Sequence, residues 1–174
     1  MPEHAIAASA SAATTEPPSR SRRTITVGAR TGVLIPVVAA ETSPAILGGF
    51  GLIAGADAGY MLADVSAEYY GAQNHYLAGV SLGIFRPLAT GRYTPYIGAS
   101  TLWAIQRIAG QGASGIQIRP TIGVMWGRHD VVRVRAELGY FVSVFEEREP
   151  DRLIVGAGQA RVVQGVLLST GATF

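Results

Sequence analysis

The strongest constraint on this chain is a period of two. In "VVRVRAELGY", residues 131–140, every second residue from Val132 is apolar: Val132, Val134, Ala136, Leu138 and Tyr140. Between them fall Arg133, Arg135, Glu137 and Gly139. Successive side chains of a strand point to opposite faces, so one face here is wholly apolar and the other carries charge. Such a strand has two homes. It lies on a soluble core with its charges in water, or it faces lipid with its charges inside a barrel.

The alternation recurs in eight segments separated by turn residues, at about 24–35, 46–62, 65–72, 75–86, 93–106, 115–127, 131–145 and 160–174. Connections at 63–64, 87–92 and 128–130 are short, and those at 36–45, 107–114 and 146–159 are mostly longer. The connection at 73–74 is short and breaks that rule. No segment shows helical periodicity. Eight antiparallel strands joined in sequence order predict an all-β, up-and-down barrel.

Sorting the segments by parity decides which way the barrel faces. One side of each is nearly free of charge: Ile25, Val27 and Val33 in the first, Phe50 and Leu52 in the second, Ile116, Ile118 and Ile122 in the sixth. The other side is rich in Gly, Ser and Thr with a few charges. A sheet exposed to water carries many long charged side chains, but only 15% of this chain is charged, against roughly 25% in ordinary soluble domains. Hydrophobic residues make up 48% of the chain and the mean hydropathy is +0.27. Yet no apolar run approaches the roughly 20 residues of a membrane helix. Small residues with a few large polar ones suit the narrow interior of an eight-stranded barrel, so the apolar side turns outward to lipid. The predicted fold is an eight-stranded antiparallel transmembrane β-barrel over residues 23–174. Residues 1–22 are Ala, Ser, Thr and Pro with scattered charge. They read as a disordered tail or the remnant of an export signal.

Seven charged residues fall on the inward side: Arg30, Asp57, Glu68, Arg119, Arg133, Arg135 and Glu137. Buried charges persist when paired, so these residues predict a polar network filling the lumen, or else polar filler with water, and on both readings no wide pore. Asp57 and Glu68 are expected at similar height, with Arg30, Arg133 and Arg135 between them, and Glu137 is expected to meet Arg119. Aromatic residues fall near segment ends. Tyr60, Trp126 and Phe174 form one expected girdle and Tyr76, Trp103 and Tyr140 the other. Pro120, which cannot donate to a ladder, predicts a bulge or a lost hydrogen bond in the sixth strand.

Little else points to chemistry. "GQGASG" (110–115) and "GFGLIA" (49–54) match the dinucleotide-binding glycine spacing, but neither precedes a helix. The first reads as a loop and the second as close packing in a strand. His4, His75 and His129 fall in separate connections and suggest neither a metal site nor a triad. The absence of Cys excludes disulfides and thiolate chemistry. A net charge of +2 gives no case for nucleic acid. No cofactor is predicted. The mixed charged stretch "EEREPDR" (146–152) reads as a solvated loop, with contact to the divalent cations that bridge lipopolysaccharide as the alternative.

The last strand, "VVQGVLLSTGATF", ends on Phe174, and the fifth segment opens on "TPYIGAS". In these features the chain resembles small bacterial outer-membrane β-barrel proteins, the eight-stranded group like the membrane domain of outer membrane protein A. The resemblance implies a bacterial outer-membrane location with both termini in the periplasm. It implies a monomer in contact with outer-membrane lipid and lipopolysaccharide. It also implies that Leu168, Thr170, Ala172 and Phe174 form the outward side of the signal read by the barrel assembly machinery. The implied role is structural or surface-interactive rather than enzymatic. Two alternatives stay open: an outer-membrane lipid-modifying enzyme, and a soluble lipocalin-like barrel that holds an apolar ligand inside.

Overall fold

The computed structural model describes residues 24–38, 46–73, 75–108, 111–147 and 160–174. They form eight strands: β1 (Thr24–Val38), β2 (Leu47–Asp57), β3 (Leu62–Ala72), β4 (His75–Pro87), β5 (Tyr93–Ile108), β6 (Gln111–Trp126), β7 (Arg133–Glu147) and β8 (Ala160–Thr173). Each pairs antiparallel with the next, and β8 pairs with β1 to close the barrel. Closure satisfies the backbone groups that an open edge would leave exposed, which a wall in lipid requires. The seal reaches the last residue: Val27 N donates to Phe174 O at 3.0 Å, and Phe174 N donates to Val27 O at 2.9 Å.

Following paired residues around the wall gives the stagger. Leu34 pairs with Leu167, then Gly139, Thr121, Gly98, Phe85, Leu62 and Asp57 follow, and the row returns to β1 at Thr24, ten residues lower. Such a stagger tilts the strands against the barrel axis and leaves an interior just wide enough for side chains to fill. One end, called here the turn end, carries the connections 58–61, 88–92 and 127–132 and both ends of the closed sheet.

The connections differ from the sequence reading in three places. The turn after β2 lies at 58–61, so residues 63–64 belong to β3. Its geometry is local: Gly59 has φ of 87°, Gly59 N donates to Asp57 Oδ1 at 2.8 Å, and Ala58 N donates to Met61 O at 2.9 Å. Ala58 and Tyr60 happen to keep the parity of the strand, so alternation alone runs straight through the turn. β5 and β6 extend to Ile108 and from Gln111, so most of "GQGASG" is strand rather than loop. The β7 strand starts at Arg133, which leaves Val131 and Val132 in the preceding turn.

Pro120 does interrupt pairing. The β6–β7 register runs from Ile118–Val142 to Thr121–Gly139 with the pairs between them missing, yet the register resumes unshifted. The proline costs ladder bonds without a bulge. The register shift in the wall lies at Pro36/Val38 between β1 and β8. The tail 1–22 and most of the charged loop, 148–152, lie outside the described residues.

Candidate functional site: the filled lumen and its wall

The inward column of β3 shows how the lumen is layered. From the turn end it reads Leu62, Asp64, Ser66, Glu68 and Tyr70, all buried. Leu62 joins Phe85, Tyr96 and Met125 in a small apolar layer near the turn end. Tyr70 joins a larger one toward the opposite end that includes Leu34, Leu77, Leu102, Phe141 and Phe145. Between them lies a charged layer. Inward glycines make room for the rings. A Cβ on Gly49 would stand 2.2 Å from Tyr70 Cδ1, and one on Gly123 would stand 2.6 Å from Tyr96 Cζ.

All seven inward charges of the sequence reading lie in this lumen, in three groups. In the first, Glu68 is held between two arginines. Arg119 Nη1 donates to Glu68 Oε2 at 2.5 Å, Arg30 Nη2 pairs with Glu68 Oε1, and the Glu68 side chain is wholly buried. Ser66 Oγ donates to Glu68 Oε1 at 2.7 Å, and Arg119 Nε donates to Gln117 Oε1. The Arg119 guanidinium also lies 5.8 Å from the Tyr70 ring centroid. The second group closes the turn end: Arg128 Nη2 lies 2.8 Å from Asp57 Oδ1 and Arg133 Nη1 lies 3.4 Å from Asp57 Oδ2. In the third, Arg135 Nη1 donates to Asp64 Oδ2 at 2.8 Å. Nearby, Glu137 accepts from Tyr96 Oη at 2.7 Å and Ser169 Oγ at 3.0 Å, with Arg30 Nη1 at 3.7 Å.

Two expected pairings are therefore corrected. Asp57 and Glu68 do not share a height, because β3 sets Asp57 against Leu62 and Glu68 against Gly51. Glu137 does not hydrogen-bond Arg119. Its partner on β6 is Gly123, four residues from Arg119, and Arg119 reaches across the lumen to Glu68 instead. Two members of the network were missed. Asp64 sat in an assumed connection, and Arg128 lies in a turn, where parity assigns no side. The clue for Asp64 was present: it continues the parity of Ser66 and Glu68.

The outer wall is the inverse of the lumen. Phe50, Leu52, Leu82, Trp103, Ile118 and Ile122 are each more than half exposed. Among the aromatic residues named from sequence, Tyr60, Trp126 and Phe174 lie at the turn end and are exposed. Trp103 is exposed on β5, ten residues beyond Tyr93, the partner of Trp126. Ten residues span about 33 Å of strand, or about 25 Å along the axis at the usual tilt, matching the height of a barrel's apolar band. Tyr76 is half-buried and stacks on Tyr69 at 6.3 Å. Tyr140 donates to Gln164 Oε1 at 2.5 Å on the outer face. Leu168, Thr170, Ala172 and Phe174 all point outward along β8 and the residue after it.

Among the described residues, no cluster of three His, Cys, Asp or Glu could hold a metal ion. His129 Nε2 lies 3.2 Å from Thr90 O in the turn-end rim, and His75 opens β4 at the other end. "GFGLIA" lies inside β2.

A closed antiparallel barrel that is apolar outside and charged inside defines a transmembrane β-barrel, with its faces opposite to those of a soluble lipocalin-like barrel. No protein-family model matches the chain. No curated protein matches its sequence. Among solved structures it is similar to Neisserial surface protein A, with a TM-score of 0.67 and 15% identity, over 87% of this chain and 97% of that one. It also matches Ail, the attachment invasion locus protein of Yersinia pestis, with a TM-score of 0.45 and 14% identity over the same shares. The first likeness shows a shared fold, that of the small eight-stranded barrels the sequence resembles.

Proposed function

We propose that this chain is a bacterial outer-membrane barrel with a structural or surface-interaction role and a lumen closed by side chains. The observation that carries this reading is the burial of the lumen's large side chains. Arg119, Arg128, Tyr70, Tyr96, Phe145, Leu102 and Met125 each expose less than 2% of their surface. A water-filled channel would leave such groups wet. Two apolar layers with ion-paired layers beside them suit a rigid plug rather than a path.

In this reading the turn end and both termini face the periplasm, and the other end meets lipopolysaccharide. The chain works as a monomer. Phe174, with Ala172, Thr170 and Leu168 on the same outward side, presents the signal for the barrel assembly machinery. A role as a lipid-modifying enzyme finds no support in the placement of His75 and His129, which lie at opposite ends of the barrel. The test is a planar bilayer. Purified, refolded protein is expected to give no stepwise conductance of porin size. Regular porin-sized steps, abolished by heat denaturation, would overturn the closed lumen.

A further inference from the structure

Five strands of the outer wall share a shallow groove. Pro95, Val124, Ala136, Thr170 and Thr31 are paired in turn across β5, β6, β7, β8 and β1, and all point outward. The adjoining row is larger: Ile97, Ile122, Leu138, Leu168 and Val33, paired in the same order. The smaller row leaves a depression of about 840 Å³ whose floor includes Gly32 and Gly123. Its two hydroxyls turn back to the wall. Thr31 Oγ1 donates to Gly49 O at 2.9 Å and Thr170 Oγ1 donates to Arg135 O at 3.0 Å. The groove is apolar in what it offers a ligand.

The ten-residue stagger makes this row descend toward the turn end from β1 to β5. Four strand spacings make it about 19 Å long, and the usual tilt makes it rise about 12 Å, within the roughly 15 Å half of a bilayer's hydrocarbon core. Its lower mouth lies at Leu88 and Pro95. Two cations flank that mouth. Arg86 is exposed on β4, paired with Ile97. Arg92 is exposed in the next turn, with its guanidinium 5.1 Å from the Trp126 ring centroid. Among the described residues neither has a carboxylate within 4.0 Å, whereas every arginine of the charged lumen does. Asp130, in the neighbouring turn, is the acidic group of this rim.

We propose that this groove is a phospholipid site, with one acyl chain along the row of small residues and the phosphate held by Arg86 and Arg92. An apolar channel of one-leaflet height with two guanidiniums beside its mouth, neither held by a carboxylate among the described residues, complements a chain that ends on an anion. The cations favour a phospholipid over a second copy of this barrel, whose rim would bring the carboxylate of Asp130 alone against two guanidiniums. The inference rests on the barrel spanning a bilayer.

Native mass spectrometry of the full chain, released from micelles doped with phosphatidylglycerol, tests it. The wild type is expected to keep one phosphatidylglycerol after bulk lipid is stripped, and to keep no diacylglycerol of matched chains. Arg86→Gln with Arg92→Gln should lower retention about tenfold or more, the loss of a charge-assisted hydrogen bond. Ala136→Phe, which fills the groove, should also lower it. Three results would overturn the site: wild type stripped bare, retention in both variants equal to that of the wild type, or a lipid-free dimer. Displacement of the lipid by inorganic phosphate alone would do the same, by placing a free anion at the arginines. A heat-dependent gel shift run alongside separates the two readings. A shift with no lipid retained removes the site alone, and no shift removes the membrane barrel itself.

Discussion

Glu68 accepts from two guanidiniums at the centre of the lumen, while Ser66 donates to the same carboxylate and Gln117 accepts from Arg119 Nε. Its charge is what keeps Arg30 and Arg119 tolerable away from water. Glu68→Gln leaves the shape intact and removes the counter-charge, so it is expected to cost about 3–5 kcal/mol, as breaking buried pairs does. Urea unfolding of the refolded barrel measures the loss. Arg86→Gln, on the outer wall, should stay within about 0.5 kcal/mol of wild type in the same assay, as surface changes do. Tyr96 gives a smaller effect. Its hydroxyl donates to Glu137 at 2.7 Å and its ring meets Phe85 edge-on at 5.7 Å. Tyr96→Phe keeps the ring contact and forfeits a bond to a charged acceptor, an expected loss of about 1.5–3 kcal/mol in the same unfolding series.

At the scale of the strand, the two faces predict opposite tolerances. Ile122, exposed on the outer face of β6, should resist a charge: Ile122→Arg is expected to cost about 2–4 kcal/mol in refolding into lipid vesicles. Val131→Arg, in a turn where the side chain is 84% exposed, should be silent. Equal effects at the two sites would contradict a lipid-facing β6. The sequence shows this two-sidedness because period two is a local property, readable from a few residues. It does not show where a strand yields to a turn when the turn keeps the same parity, as Ala58 and Tyr60 do. That one misplaced boundary hid Asp64. Pairing across the lumen is less legible still, since it depends on register. The expectation for Glu137 and Arg119 failed by four residues of β6, a displacement that no alternation pattern encodes. Arg128 is out of reach for a further reason. A turn residue is aimed by its own backbone geometry, and here Gly127, with φ of 69°, turns the chain just before it.

The whole molecule is a cylinder with two aromatic-bearing ends, and its two tryptophans report on both. Trp126 lies at the turn end and Trp103 some ten residues of strand away. Lipids brominated near the headgroup should quench both fluorophores more strongly than lipids brominated at the chain ends. Single-Trp variants should respond from opposite leaflets when only one leaflet is brominated. Strong mid-chain quenching of both would contradict the girdle assignment. The closure of the cylinder also sets an order in time. Seven of its eight seams join neighbours in sequence, but the last joins β1 to β8, and its final hydrogen bonds are those between Val27 and Phe174. The most distant partners in the chain thus meet to finish the wall, the slowest kind of contact to make. Until β8 has been made, β1 keeps a bare edge, so no shorter run of these strands can close the wall. A partly made wall therefore has two open seams at once, one along β1 and one along whichever strand was added last.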